Sequence, residues 1–409
     1  MNRLVNSKYL SLYALVLFIV SACYGLLLRW NFAFPTNIIN HTNFLQSHSH
    51  VTFLGWGYIA TIAILLRIFI NKTKLHHKTY KISIFIIVTT ISLMLISFPL
   101  AGYKVFSIVL LSVFGITSYV LSFRFLKDIN EVGIIGKLLK FGIYYYLLSS
   151  LATWFLAFVI VTQGKTELYY NTVYFYLHFL YNGYFVFILF GLLFKIFEKE
   201  LNFVSLKHQK KFFLFLNIAC IPTYVLSILW SDVSVIFNLI GFVASILQLV
   251  SLFYLFRIMQ QVIPHLKWKF IQKFLLKFGL IAFALKTSIQ VFQAFPVIVT
   301  KSMALKHYFI IGYIHLFTLG FLSVVLLLLL NRTGNFSLKH FISKIGIVIF
   351  VFGIVVTELI MFLQGFLYLQ KMNPIEHYYI ILLCFSSFLL VGLILVFISQ
   401  FFSNSSEIK

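Results

Sequence analysis

The sequence predicts an all-α, polytopic membrane protein of about twelve transmembrane helices with both termini in the cytoplasm, and three observations carry that prediction. Of its 409 residues 61% are hydrophobic and only 10% are charged, with a mean hydropathy of +1.01, whereas soluble chains are about a quarter charged. The apolar residues fall in long runs, and about 20 such residues cross roughly 30 Å of hydrocarbon. Lys and Arg alternate between successive breaks in those runs, as the positive-inside rule requires.

The expected spans are 9–29, 42–70, 81–102, 104–126, 139–162, 171–196, 211–230, 233–257, 273–298, 303–331, 345–370 and 376–402. The first is too long for a secretory signal and lacks a small-residue cleavage site, so it reads as a helix. All are continuous rather than alternating ten-residue segments, which excludes a transmembrane β-barrel. No break between them exceeds about fifteen residues, well short of a domain of roughly fifty, so residues 1–409 read as a single transmembrane domain.

The N-terminus, the alternate loops from Arg67 to Lys81 through Arg332 to Lys344, and Lys409 together hold 25 basic residues, and the opposite set holds six: Arg29, Lys104, Lys165, Lys301, Lys306 and Lys371. Lys286 is left over in the middle of the ninth span. The excess of 32 Lys and Arg over 9 Asp and Glu is therefore topological and argues for the bilayer as partner rather than nucleic acid. A bacterial inner membrane is the expected location. Cys23, Cys220 and Cys384 lie inside apolar runs without paired spacing, so no disulfide framework is expected.

Five of the twelve histidines, His76, His77, His208, His265 and His340, lie in Lys-rich loops and read as solvated. The other seven fall on the expected outer side: His41, His48 and His50 in HTNFLQSHSHVTFLGWGY, His178 in YFYLHFLYNGYF, His307 and His315 in LKHYFIIGYIHLFTLGF, and His377 at the start of the last span. Buried imidazoles from three helices at similar depth suggest a common ligand, and haem iron, copper and zinc suit neutral imidazole. A helix turns about 100° per residue, so His48 and His50, about 200° apart, cannot both face one site. His307 and His315 differ by about 80° and about 12 Å in height, so they cannot both be axial ligands of one iron. A bis-histidine haem would thus take one residue from the second span and one from the tenth. Gly55, Gly57, Gly183, Gly312 and Gly320 would let a flat macrocycle or a neighbouring helix come close.

Lys286 and Glu358 lie near the middle of the ninth and eleventh spans, where a charge costs at least ~2.5 kcal/mol. They are expected to pair with each other, or Lys286 with Thr287, Gln290 and Gln293 to line a polar path or meet a haem propionate. Asn182 and Tyr181 follow His178 by about one turn, a spacing that can orient a ligand.

With these residues in place the chain resembles the heme-copper oxidase subunit I superfamily. IGYIHLFTLGF is similar to the helix-ten motif of the cbb3-type branch, a His-x-His pair whose second histidine is kept here as His315 and whose first is replaced by Tyr313. The resemblance implies a low-spin haem b held by His50, with His48 as the rival, and by His315. It implies a copper ligand at His178. Two departures stand out: the seventh span has no His-His pair, and Tyr313 stands where the high-spin haem's ligand would be. The chain is also similar to the NnrS family of haem- and copper-containing membrane proteins linked to nitric oxide stress, on HSHVTFLGW and on His307, Gly312, Thr318, Leu319 and Gly320. That alignment implies His48, His50 and His307 as ligands.

The expected function is a haem-binding oxidoreductase relative that transfers electrons or binds NO or O2, with a degenerate oxygen-reducing centre and no assigned catalytic residue. Its partners would be respiratory subunits or a periplasmic electron donor. Without a Cys-x-x-Cys-His, any haem is held non-covalently. The alternative is a transporter for a metal ion or small anion that uses the outer histidines and the Lys286/Glu358 pair.

Overall fold

The computed structural model describes residues 5–36, 39–231 and 233–402; Arg3 and Lys409 of the charge count lie outside them. The chain is an all-α polytopic membrane protein. Its principal helices are α1 (Ser7–Ala33), α2 (His41–Phe69), α3 (Lys78–Ala101), α4 (Val105–Asp128), α5 (Gly133–Thr162) and α6 (Glu167–Ile196). After them come α7 (Leu206–Cys220), α8 (Ile236–His265), α9 (Phe270–Phe292), α10 (Lys306–Arg332), α11 (Phe341–Leu369) and α12 (Tyr378–Phe402).

Eleven of these, among the described residues, are long and apolar enough to cross a membrane. The exception corrects the expected span 211–230. Helix α7 has 15 residues, about 22 Å at 1.5 Å per residue, short of the roughly 30 Å core. Pro222 ends it, since proline has no N–H to donate and its ring clashes with the carbonyl four residues back. The chain continues as a 3-10 segment, Pro222–Ser227. The expected ninth span also stops early, at Phe292, and Pro296 opens a separate short helix, Pro296–Ala304.

Local chemistry sets the other ends. Asn6 and Asn40 cap α1 and α2 by accepting from the backbone N–H of Lys8 and Asn43 at 2.9 and 3.1 Å. Two loop histidines do the same work: His77 accepts from Thr79 N–H at 3.2 Å and His340 from Ile342 N–H at 3.3 Å. Each capping Nδ1 must be unprotonated, which places the proton on Nε2. Gly102 stops α3 with φ of 61° and an N–H bonded to Phe98 O, a positive φ that glycine adopts without the steric cost of a Cβ.

The chain divides into two compact units, one of residues 1–129 and 326–409 and one of residues 130–325. In the first, α1 packs against α2, α11 and α12: Phe18 stacks on Trp56 at 4.6 Å and meets Phe350 edge-on at 5.8 Å. Helices α11 and α12 cross where Gly346 and Gly392 meet, so closely that a Cβ at Gly346 would lie 2.7 Å from the Gly392 carbonyl oxygen. Such small-residue crossings are how membrane helices gain packing without a hydrophobic drive. Buried Asp128 at the end of α4 takes Arg124 at 2.6 Å, Tyr80 Oη at 2.9 Å and Lys74 at 3.6 Å.

In the second unit Phe190 of α6 is the hub, with Phe212 of α7, Phe283 of α9 and Phe321 of α10 within 5.0–5.6 Å. Three helices are far more enclosed than the rest. Within their apolar stretches 89% of α2, 89% of α6 and 72% of α10 is buried, against 28–50% in the other eight spans.

Gly346→Leu is expected to force α11 and α12 apart at a cost of about 1–3 kcal/mol. Thermal unfolding in detergent should show a lower midpoint for that variant, and none for Val348→Leu on the exposed face of the same helix.

Candidate functional site

The three enclosed helices share a local feature. Each carries a π-helical segment that begins directly after a histidine: Val51–Tyr58 after His50, Phe179–Phe185 after His178 and Leu316–Ser323 after His315. π-helical turns are rare, cost backbone hydrogen-bond geometry and gather at functional sites. Each segment contains glycine, and at Gly183 a Cβ would sit 2.5 Å from the Cβ of Tyr145 on α5.

In the first unit, His48 and His50 face different neighbours, as their angular spacing requires. His50 turns to α3 and the segment after it, with Nε2 2.7 Å from Tyr103 Oη and its ring 4.6 Å from Phe98. His48 lies against α1. Its Nδ1 is 2.9 Å from the Ser21 carbonyl oxygen and 3.2 Å from Ser21 Oγ. A carbonyl only accepts, so Nδ1 carries the proton and Nε2 keeps the lone pair. Ser21 also hydrogen-bonds Thr52, and Thr52 donates to the His48 carbonyl at 2.7 Å. Gly25 makes room for the ring, since a Cβ there would come within 3.2 Å of His48 Cε1.

One helical face of α1, Ser21, Gly25 and Arg29 at four-residue intervals, thus looks toward His48. Arg29 donates to Met361 Sδ at 3.8 Å and is the charge that acts on Glu358, with Tyr378 also in electrostatic reach. The four-residue stripe of small and polar residues was visible in the sequence, although Arg29 reads there only as a loop charge.

In the second unit, His178, Asn182, Lys286 and Gln290 form one buried network. Lys286, 2% exposed, donates to Asn182 Oδ1 and to Gln290 Oε1 at 2.7 Å. Asn182 Nδ2 donates to His178 Nδ1 at 3.2 Å, and His178 Nε2 donates to the Cys220 carbonyl at 2.8 Å. The break at Pro222 explains that last bond. Tyr224 N–H, four residues on, bonds Ile221 O instead, which frees the Cys220 carbonyl, and Thr223 Oγ1 reaches it as well at 3.1 Å. His178 therefore satisfies a broken helix end, and the Asn182 it meets one turn on is the neighbour that the spacing implied.

Beside this network lies a cavity of about 10 Å³, the size that one water centre needs, lined by Asn182, Gln248, Lys286 and Thr287 among others. Gln248 Nε2 donates to Thr223 Oγ1 at 3.3 Å, and its buried Oε1 has no hydrogen-bond partner among the described residues.

His307 is exposed at the start of α10, and Tyr313 and His315 are half-buried further along it. His377 is exposed beside Glu376 in a left-handed backbone conformation with φ of 52°. Among the described residues no three or more His, Cys, Asp or Glu side chains come together as a metal-binding group. No protein-family profile matches this chain, and no curated protein matches it.

The fit to the expected groups differs from residue to residue. His48 has the arrangement of a ligating imidazole, one nitrogen held by a backbone carbonyl and the other free. His178 has both nitrogens bound within the protein, so copper there does not fit this arrangement.

Lys286 and Asn182 should behave as a coupled pair. Asn182→Leu leaves a buried ammonium short of an acceptor and is expected to cost about 1–3 kcal/mol. Asn182→Leu with Lys286→Met should cost less than the sum of the single changes, by at least about 0.5 kcal/mol, when unfolding is followed in detergent as a double-mutant cycle.

Proposed function

We propose that this chain is a haem-binding protein of a bacterial inner membrane, with both termini in the cytoplasm, and that His48 supplies an axial ligand to a non-covalently held b-type haem. The observation that carries this reading is the His48 imidazole itself. Its Nδ1–H is fixed by the Ser21 carbonyl, its Nε2 lone pair has no partner among the described residues, and Gly25 clears its place against α1. Ligating histidines are held in this way by a second hydrogen bond, which sets the tautomer and raises the basicity of the ligand nitrogen.

Bound haem would supply one-electron transfer and the binding of NO or O2. The chain's own part is to hold the imidazole in one tautomer, to exclude water through the enclosed α2, and to place the cationic Arg29 close to that imidazole. Resemblance to the heme-copper oxidase and NnrS families supports the same reading through HSHVTFLGW and IGYIHLFTLGF.

A second reading, transport of a small ion, draws on one observation of its own. Lys286 is a buried cation whose hydrogen-bond acceptors are neutral amides, and it borders a water-sized cavity. Intramembrane charges of this kind mark ion and proton paths.

The reduced-minus-oxidised visible spectrum of the purified protein, expressed with ample haem, separates the two. Sharp α and Soret bands are expected in the wild type and are expected to be lost in His48→Ala, with an unchanged size-exclusion profile. The same spectra for His50→Ala and His315→Ala ask whether either residue supplies a further ligand. A colourless wild type would overturn the haem reading and leave transport, for which ion uptake by vesicles carrying Lys286→Met is the measurement.

A further inference from the structure

At the junction of α1, α2 and α3 a cavity of about 550 Å³ opens between the first residues of α1, the last turn of α2 and the segment that leads into α3. Four bases line it, Arg67, Lys72, His76 and Lys81, together with Asn6 and Asn71, and among the described residues no acid lines it. The rest of the wall is apolar, including Leu66, Ile70 and Leu75.

None of the four forms an ion pair among the described residues; Arg67 Nε donates only to the Thr333 carbonyl at 3.3 Å. The nearby acid, Asp128, is fully engaged by Arg124, Lys74 and Tyr80. Arg67 and Lys72 remain exposed and Lys81 half-buried, so their donors are accessible from the cavity.

We propose that this cavity binds a phosphate-bearing anion, and that the anion is the headgroup of an anionic membrane lipid. A guanidinium with neighbouring ammonium groups is the donor set that phosphate oxygens take. Position and wall chemistry choose between a lipid and a soluble phosphate. The cavity lies at the ends of membrane-crossing helices, on the side to which the charge bias assigns the cytoplasm, and basic pockets between helices at that level hold lipid phosphates. Its apolar wall suits the glycerol and first acyl carbons and offers nothing to a free inorganic ion. The site is independent of His48 and of haem.

Native mass spectrometry of the detergent-purified protein, equilibrated with phosphatidylglycerol or with phosphatidylcholine, tests this directly. The wild type is expected to retain phosphatidylglycerol selectively. Arg67→Gln/Lys72→Gln/Lys81→Gln should weaken that retention by at least about tenfold, from roughly fivefold per charge. Lys207→Gln/Lys210→Gln/Lys267→Gln, which removes as many charges from residues that do not line the cavity, should leave it unchanged, and circular dichroism should be the same for all three proteins.

Equal retention by the wild type and the cavity variant, or an equal loss in the control variant, would overturn the site. Millimolar inorganic phosphate is the second arm, read as a thermal shift. A shift in the wild type that is lost in the cavity variant, without selective lipid retention, would keep the phosphate chemistry and overturn the lipid as its source.

Discussion

In hydrocarbon no water stands ready to satisfy a polar group, and the buried architecture of this chain follows from that constraint. The backbone meets it by being helical, and where the helix fails, side chains step in. Pro222 breaks α7, and His178 and Thr223 take up the Cys220 carbonyl that the break releases. His178 is then held by Asn182, and Asn182 with Gln290 holds Lys286. One proline thus organises a polar network that runs from α7 through α6 to α9, and it gives a buried histidine a structural occupation.

The π-helical segments in α2, α6 and α10 belong to the same problem. A π turn shifts the register of the side chains after it relative to those before it, so a histidine at its start can be aimed separately from the apolar face that follows. In α2 the two histidines just before the segment have opposite attachments, as helix periodicity requires: His50 on Tyr103, His48 on Ser21. Chemically they are no longer equivalent. A backbone carbonyl fixes the tautomer of His48 and leaves its outer nitrogen available, whereas the outer nitrogen of His50 is already in a hydrogen bond with a phenol.

Charge is distributed with similar economy. With nine acids against 32 bases, only a few sites can be neutralised internally. Asp128 gathers Arg124, Lys74 and Tyr80, and Lys195 is held between Glu131 and Glu198 at 2.9 Å each. Most of the other described loop bases are exposed, and a phosphate-rich interface is the surroundings in which such an excess is stable.

The fold class and eleven of the membrane helices were legible from apolar run length, because crossing hydrocarbon is a requirement that sequence states directly. The angular separation of His48 and His50 was legible too, since it depends only on helix periodicity. The break in α7 was less so. Pro222 was visible, but the apolar run on either side of it still read as a span, and hydropathy does not register a missing N–H. What stayed out of reach were the partners: Ser21 for His48, Tyr103 for His50, the Cys220 carbonyl for His178, two amides for Lys286. Apart from Gln290, one turn from Lys286 and legible beside it in the sequence, these come from residues 27 to 104 positions away, and which nitrogen of an imidazole is left free depends on a neighbour that only helix packing supplies. By itself the sequence determined that this is a membrane protein and where eleven of its helices run; the tertiary structure decided which histidines are enclosed, His178 but not His307 or His377, and which of them has a nitrogen to offer, because both are properties of contacts between helices.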